Sequence, residues 1–252
     1  MEYCEFINGL EVKATYSDES LEQIYIPLLK KLAEIHDKKG KRVIAMIAAP
    51  PGAGKSTMAS FLEFLSKEII PGKTVKALGM DGFHKRQEYL LSHAVIIDNE
   101  RVPLVEIKGA PITFDLKKLT SSIERIANGE IFGWPVYDRV SHNPVEDRIK
   151  VDGDIIILEG NYLLLDTKGW RNLSSYADYT ISIIADGEQL RERLITRKRA
   201  STGFSMEKVK KFVEFSDMSN VWLCLGNTKP ADMQLLLGED NQYSLIRREG
   251  ES

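Results

Sequence analysis

Cysteine is scarce in this chain: its 252 residues include two, Cys4 and Cys224, which lie near opposite ends. They form no Cys-x-x-Cys pair, so the sequence favours neither a disulfide framework nor a zinc site. Long apolar runs are also missing, and a stretch such as Ile155-Ile156-Ile157-Leu158 is far too short to cross a bilayer. Residues 1–5 include acids and lack the basic-then-apolar order of a signal peptide. We therefore expect a cytoplasmic protein without a membrane partner.

A surplus of basic residues is missing as well. The chain has 34 lysine and arginine residues against 37 aspartate and glutamate residues, which gives a net charge of −3. Binding to nucleic acid by counterion release needs clustered positive charge, so a nucleic-acid partner is disfavoured. Hydrophobic residues make up 43% and charged residues 28%, which is ordinary for a globular protein. The oligomeric state is left open, with a homodimer as one of the possibilities.

Alternating strand and helix signals predict the fold. Several short apolar runs have the composition of buried parallel strands, and helical patterns follow them. The expected strands are 42–48, 74–78, 154–158, 179–184 and 233–237, with an edge strand at 243–247. Helices are expected from Lys55 to Leu65, from Asp186 through Leu194, and from Met206 to Leu225. This order predicts an α/β fold with a mostly parallel sheet covered on both faces.

Two regions stand outside this alternation. Residues 1–41 are interpreted as an N-terminal helical extension, because Ser20-Leu21-Glu22-Gln23 has the pattern of a capping box and apolar residues then recur at helical spacing. Residues 84–150 contain few clean strand signals and several turn residues. We expect them to form a substrate-side insertion within a single domain that spans residues 1–252.

A phosphate-binding loop is the strongest chemical signal, and it has the sequence Ala49-Pro50-Pro51-Gly52-Ala53-Gly54-Lys55-Ser56-Thr57. Glycines at such a loop let backbone N–H groups approach phosphates, and the following helix directs its partial positive end at them. We expect residues Pro51 to Thr57 to hold ATP, with Lys55 at its β and γ phosphates and Ser56 at Mg²⁺. The alternative is a chance Gly-Lys-Ser turn. Ala49 stands where a first glycine is usual.

Two acidic residues follow buried strands. Glu159 comes directly after residues 155–158, where a carboxylate can join the Mg²⁺ shell beside the phosphate loop, although an ordinary turn acid is the alternative. Asp81 follows the second strand at the carboxyl edge of the sheet, where it can accept a proton from an attacking hydroxyl. On local sequence alone, an Asp-Gly turn explains Asp81 equally well.

Five motifs give the chain a family resemblance. They occur in the order Met80-Asp81-Gly82-Phe83, Lys108-Gly109-Ala110-Pro111, Phe114-Asp115, Pro135-Val136-Tyr137-Asp138-Arg139 and Leu158-Glu159-Gly160-Asn161. Together they resemble the superfamily of uridine kinase, phosphoribulokinase and bacterial type I pantothenate kinase. The match covers roughly residues 42–237 and looks closest to a bacterial branch described as nucleoside/nucleotide kinase-like. It implies a P-loop NTPase three-layer sandwich with an inserted substrate and lid region, and an ATP- and Mg²⁺-dependent kinase.

The resemblance also implies roles for particular residues. Asp81 looks like the catalytic base of these kinases, and Glu159 looks like their magnesium-shell acid. Lys229 and Pro230 look like part of the adenine-side loop before the last core strand. No Asn-Lys-x-Asp element of the guanine-binding type and no Leu-Ser-Gly-Gly-Gln transporter signature occurs.

Two arginines on one helix form a candidate lid. Arg193 and Arg197 are four residues apart, so they share a helical face and could act together on a phosphate. The resemblance implies that they are the lid arginines, which would give them a catalytic role. A solvated basic face is the alternative, since Arg191, Lys198 and Arg199 are also present.

The acceptor is the least defined part of the prediction. Hydrogen-bonding side chains in the insertion suit a hydroxyl-rich molecule, because unmatched buried polar groups carry a penalty. The candidate substrate-binding residues are His84, Lys108, Tyr137, Arg139 and His142, the last of which is equally well explained as a loop histidine. Pantothenate kinases resemble the chain less at positions 84 and 138–139, which argues against pantothenate itself.

The sequence as a whole predicts a kinase. We expect transfer of the γ-phosphoryl group of ATP to a hydroxyl of a small polar metabolite, namely a sugar, a polyol or a nucleoside-like compound. The alternatives are a pantothenate-kinase-like activity and a nucleotide-binding regulatory protein that performs no transfer.

Overall fold

The strands of the protein include those that the apolar runs predict. A computed structural model describes residues 1–7 and 10–246. Its strands, in chain order, are β1 (Glu2–Ile7), β2 (Leu10–Thr15), β3 (Val43–Ala48), β4 (Val75–Gly79), β5 (Ala94–Ile97), β6 (Glu100–Pro103), β7 (Phe132–Asp138), β8 (Asn143–Val151), β9 (Ile155–Gly160), β10 (Tyr179–Ile184), β11 (Met233–Leu237) and β12 (Tyr243–Leu245).

The helices connect these strands. They are α1 (Asp18–Ser20), α2 (Ile26–Lys39), α3 (Lys55–Ile69), α4 (Gln87–Ser92), α5 (Leu116–Ala127), α6 (Gly187–Ser201), α7 (Met206–Phe212) and α8 (Met218–Asn227). A π-helical turn at Leu21–Tyr25 joins α1 to α2, and another at Val213–Asp217 joins α7 to α8. The predicted helix from Met206 to Leu225 therefore exists, with a π turn at its centre. Within the described ranges, no helix is long and apolar enough to cross a membrane.

Six strands form the central sheet, in the order β4, β9, β3, β10, β11, β12. Neighbouring strands from β4 to β11 are parallel, and β12 runs antiparallel to β11 at the edge. All five predicted core strands are therefore present. The predicted edge strand ends at Leu245, and residue 247 lies outside the described residues.

The core lies on both faces of this sheet. In β3, Val43, Ala45 and Ile47 pack into one hydrophobic cluster, and the alternating Ile44, Met46 and Ala48 pack into the other. Helices α2, α3 and α6 contribute to the first cluster, and α5 contributes to the second. This arrangement explains why β3 is apolar at every position, and it gives the α/β three-layer sandwich that the sequence predicts.

The N-terminal region differs from the helical extension that the sequence predicts. Residues 2–15 form an antiparallel hairpin of β1 and β2, and the helix begins only at Asp18. Ser17 rather than Ser20 is the N-cap, because the Ser17 Oγ accepts a hydrogen bond from the Ser20 N–H at 3.0 Å. Tyr3 of the hairpin and Tyr16, directly after it, both pack on Phe61 of α3, with ring centroids 5.2 Å and 3.6 Å from that of Phe61.

The insertion at residues 84–150 is more regular than the sequence indicates. It contains α4, α5 and two hairpins, β5–β6 and β7–β8. The β5–β6 hairpin turns at Asp98 and Asn99, whose φ angles of 50° and 65° are left-handed. Helix α5 begins after Asp115, whose Oδ1 accepts a hydrogen bond from the Lys118 N–H at 3.0 Å. The strands of these hairpins have few buried positions, which is why their pattern is weak in the sequence.

Candidate active site

The phosphate loop connects the end of β3 to the start of α3. Gly52 and Gly54 have φ angles of 87° and 91°, which L side chains rarely adopt, so glycine is required at both positions. Ala49 is not one of the described non-glycine residues that have a positive φ. The missing first glycine therefore introduces no strain. This geometry matches the strand–loop–helix context that the sequence predicts.

Glu159 lies between the two strands that precede the other site residues. Strand β9 pairs with β3 and β4, so Glu159 stands opposite Ile47 on one side and Gly79 on the other. Its side chain is 5% exposed, and its Oε1 accepts a hydrogen bond from the Ser56 Oγ at 2.8 Å. Burial raises the pKa of Glu159, and the positive charge of Lys55 opposes that rise.

Asp81 lies in a 3₁₀ turn directly after β4. The turn packs tightly against β7, because a Cβ added to Gly82 would lie 2.0 Å from the Pro135 carbonyl oxygen. Burial acts to raise the pKa of Asp81, but its electrostatic interactions with His84, Lys55 and Arg139 outweigh this effect and hold the pKa below its usual value. Asp81 is therefore an ionised carboxylate at neutral pH.

A cavity of about 580 Å³ opens above the phosphate loop. We call it the loop cavity. Its lining combines the phosphate loop with side chains from α6, from the β7–β8 hairpin and from the segment after β11, and Ile7 and Val12 of the N-terminal hairpin complete it. The lining residues that the sequence predicts for the site are Gly52, Gly54, Lys55, Ser56, Thr57, Arg139, Arg193 and Arg197.

A second, smaller cavity of about 260 Å³ adjoins the first. We call it the acid cavity, because Asp81 and Glu159 both line it. Tyr137 lines it as well, while Ser56 and Ile7 line both cavities. The two cavities therefore meet at Ser56, next to the two carboxylates.

The arginines of α6 do not all face the same way. Arg193 and Arg197 face the loop cavity, and the Arg193 guanidinium donates a hydrogen bond to the Asn241 side-chain oxygen. Arg191 instead pairs with Glu214, its Nε lying 3.0 Å from a carboxylate oxygen, and with Glu188. Arg191 is therefore held by ion pairs away from the loop cavity, whereas Arg193 and the exposed Arg197 lie where a bound phosphate could be reached.

Three of the candidate acceptor residues are close together. His84 donates from Nδ1 to the Asp81 carbonyl oxygen at 2.8 Å, and its ring centroid lies 5.1 Å from that of Tyr137. The Lys108 ammonium lies 4.8 Å from the Tyr137 ring centroid and donates to the Gln87 Oε1 at 2.8 Å. Burial lowers the pKa of Lys108 to about 8.

His142 does not join this group through its imidazole. Its side chain is exposed, and its backbone has a left-handed φ of 54°. The contact with the group is made by its carbonyl oxygen, which accepts a hydrogen bond from the Lys108 ammonium at 3.0 Å. The structure thus favours the loop-histidine alternative for this residue.

Lys229 and Pro230 do not line the loop cavity. The Lys229 ammonium instead donates to the Arg171 carbonyl oxygen at 2.5 Å and to the Ser174 Oγ at 3.1 Å. The residues after β11 reach the loop cavity, through Glu239 and Asn241, together with Gln189 of α6. Sequence reasoning missed them, although the Gly238-Glu239-Asp240-Asn241 turn after a core strand was an available signal.

The Ser56 and Glu159 oxygens fit a magnesium ion. Mg²⁺ prefers oxygen ligands and is usually held by one or two protein groups plus waters and substrate phosphates. Within residues 1–7 and 10–246, no group of three or more histidine, cysteine, aspartate or glutamate side chains is arranged to hold a metal by itself. A cation at this hydroxyl–carboxylate pair would also offset the free-energy cost of burying the negative charge of Glu159.

Comparison with known proteins agrees with this site. A sequence profile of the phosphoribulokinase / uridine kinase family matches residues 43–242. The uncharacterized protein YggC of Escherichia coli (strain K12) is 37% identical over 238 residues, which cover 94% of this chain and 96% of that protein. A pantothenate kinase of Lactococcus lactis subsp. cremoris is 27% identical over 213 residues, which cover 77% of this chain and 65% of that protein.

A solved structure from Silicibacter sp. TM1040, whose suggested role is that of a fructose transport system kinase, superposes with a TM-score of 0.74. It is 25% identical, and the superposition covers 84% of this chain and 98% of that chain. The fold is therefore that of the P-loop kinases, and the chain belongs to the phosphoribulokinase / uridine kinase family.

Proposed function

We propose that this protein transfers the γ-phosphoryl group of ATP to a hydroxyl group of a small polar metabolite, with Asp81 as the catalytic base. The observation that supports this most directly is that three ionisable side chains meet at the carboxyl ends of neighbouring parallel strands. Lys55 follows β3, Glu159 ends β9 and Asp81 follows β4, and these three strands are neighbours. A nucleotide and an acceptor bound in the two adjoining cavities would meet between them.

The loop cavity is suited to the triphosphate. The phosphate loop offers backbone N–H groups and the positive end of α3, and Lys55, Arg193 and Arg197 add positive charge. A magnesium ion held by Ser56 and Glu159 would neutralise phosphate charge when bound. Phosphoryl transfer depends mostly on positioning and electrostatic stabilisation, and these residues supply both.

Asp81 supports transfer over a purely regulatory role. A nucleotide switch needs the phosphate loop but has no use for an ionised carboxylate beside the transfer point. Asp81 lines the acid cavity, and its lowered pKa keeps it able to accept a proton at neutral pH. The proton of the acceptor hydroxyl would move to an Asp81 oxygen as the hydroxyl attacks.

The acceptor side supports a molecule with several hydroxyl groups. His84, Tyr137 and Lys108 lie together beside Asp81. Of these three residues Tyr137 lines the acid cavity, and Arg139 lines the loop cavity. Such donors are matched by a sugar, a polyol or a nucleoside-like compound better than by an apolar one. An anionic group on the acceptor would face Arg139.

The experiment is ATP consumption measured across sugars, polyols, nucleosides and pantothenate, repeated with Arg139→Ala. We expect ADP formation that depends on a hydroxyl-rich acceptor, and a higher acceptor KM in the variant. Arg148→Ala is the matched control, because Arg148 is an exposed arginine on the same hairpin. Turnover of pantothenate alone, or an unchanged acceptor KM in Arg139→Ala, would contradict the proposed acceptor class.

A further inference from the structure

Tyr243 touches the phosphate loop from outside the loop cavity. It is the first residue of the edge strand β12, and its hydroxyl donates a hydrogen bond to the Ala53 carbonyl oxygen at 2.7 Å. The contact is close, because a Cβ added to Gly54 would lie 2.5 Å from the Tyr243 hydroxyl oxygen. Burial raises the pKa of Tyr243 to about 12, so the hydroxyl keeps its proton at neutral pH.

This hydrogen bond controls the direction of a backbone N–H group. Ala53 and Gly54 share one peptide bond, and in a trans peptide the C=O and the N–H point in opposite directions. Because the Ala53 carbonyl points at Tyr243, the Gly54 N–H points away from it. Gly54 lines the loop cavity and Tyr243 does not, so an N–H that points away from Tyr243 can reach a phosphate bound in that cavity.

We infer that Tyr243 is a positioning residue for the nucleotide: by holding the Ala53 carbonyl, it fixes the Gly54 N–H in the orientation that binds phosphate. Gly54 makes such a restraint useful. Its φ of 91° reflects a freedom that glycine alone has, and a free glycine peptide can rotate out of the binding orientation. The hydrogen bond also polarises the peptide, which strengthens the N–H as a donor.

The position of Tyr243 is itself fixed by its neighbours. The Gln242 side-chain Nε2 donates to the Thr15 carbonyl oxygen at 2.9 Å, and the Ser20 hydroxyl donates to the Gln242 Oε1 at 3.1 Å. The N-terminal region therefore anchors the residue next to Tyr243. The family profile ends at residue 242, so the anchored tyrosine lies just beyond the part of the chain that matches the family.

The test uses Tyr243→Phe, which keeps the ring and removes the hydroxyl. Loss of one hydrogen bond typically corresponds to about a five-fold change, so we expect binding of Mg·ATP, measured by calorimetry, to weaken about five-fold. The affinity for inorganic tripolyphosphate should fall by the same factor, because Tyr243 acts on the part of the loop that binds phosphates. In turnover, the KM for ATP should rise while kcat changes little.

Tyr25→Phe is the matched control. Tyr25 is buried, and its hydroxyl has no hydrogen-bond partner among the described residues. This control variant should bind Mg·ATP as the unmodified protein does. Tyr243→Phe leaves the Ala53 carbonyl without its partner, so without nucleotide it should melt at a somewhat lower temperature but stay fully folded at the assay temperature.

Two results would overturn the inference. One is equal affinity for Mg·ATP in Tyr243→Phe and the unmodified protein. The other is an affinity loss that Tyr25→Phe reproduces, or that is accompanied by unfolding of nucleotide-free Tyr243→Phe at the assay temperature, because either would assign Tyr243 a packing role only. The inference rests on the proposed nucleotide site, and failure of the unmodified protein to bind Mg·ATP would overturn both. Binding of Mg·ATP without any acceptor turnover would leave the Tyr243 inference intact and contradict the proposed function alone.

Discussion

Ser56 and Glu159 are joined by a hydrogen bond of 2.8 Å between the serine hydroxyl and a carboxylate oxygen. The pair connects the first turn of α3 to the end of β9, so the phosphate loop and the central strand of the site hold each other in place. Two oxygens of the kind that Mg²⁺ prefers are thereby brought together within the protein itself.

Glu159→Gln tests this pair. The amide keeps the size of the side chain and removes its negative charge, so affinity for Mg²⁺ should fall. We expect the Mg²⁺ concentration for half-maximal activity to rise on the order of ten-fold, by comparison with other changes around metal sites. Glu68→Gln is the control, because Glu68 is an exposed residue on α3. An unchanged Mg²⁺ dependence would exclude Glu159 from the metal site.

Arg193 and Arg197 are expected to act on the transferring phosphoryl group. Replacing either with alanine should lower kcat about ten-fold or more and raise the KM for ATP less, because the charge on that group changes during the reaction. Steady-state kinetics with varied ATP separates the two parameters. Arg191→Ala on the same helix is the control, since Arg191 pairs with Glu214 and Glu188 away from the cavity. Small, equal effects of all three changes would favour a solvated basic face.

Lys108 should make the stability of the protein depend on pH. Its pKa is about 8 in the folded chain and 10.5 in a free lysine, so between these values the unfolded chain holds a proton that the folded chain lacks. Stability therefore rises with pH in this interval, because the unfolded state binds more protons. Lys108→Met should flatten this rise.

The measurement is the urea midpoint of unfolding at several pH values between 8 and 10. Lys41→Met serves as the control, since Lys41 is exposed, and its profile should follow that of the unmodified protein. If Lys108→Met and the unmodified protein give parallel profiles, burial does not perturb the Lys108 ammonium.

The central sheet could be predicted because its strands are buried on both faces. A run such as Val43 to Ala48 is apolar at every position, and that pattern has few alternatives when a glycine-rich loop and a helix follow. The hairpins could not be predicted in the same way. In β1 only Tyr3 is buried, so the alternation that identifies a half-buried strand is too short to recognise.

The position of a site residue was predictable where it follows from that residue's own strand. Lys55, Asp81 and Glu159 each follow a recognisable strand, and the parallel sheet brings them to one edge. Contacts between distant segments have no such signal. Nothing in the local sequence of Tyr243 indicates that its hydroxyl reaches Ala53. The hydrogen bond from the Lys229 ammonium to the Arg171 carbonyl oxygen likewise depends on tertiary structure.

The most direct test of the proposed function is Asp81→Asn, assayed for phosphoryl transfer at saturating ATP and for Mg·ATP affinity by calorimetry. General-base assistance typically contributes about 10²–10⁴-fold, so transfer should fall by about that factor while affinity for Mg·ATP changes little. Asp98→Asn, in the β5–β6 turn, is the control and should behave as the unmodified protein does, because asparagine tolerates a left-handed φ. If Asp81→Asn instead loses Mg·ATP affinity while transfer at saturating ATP survives, Asp81 belongs to the nucleotide site and is not the catalytic base.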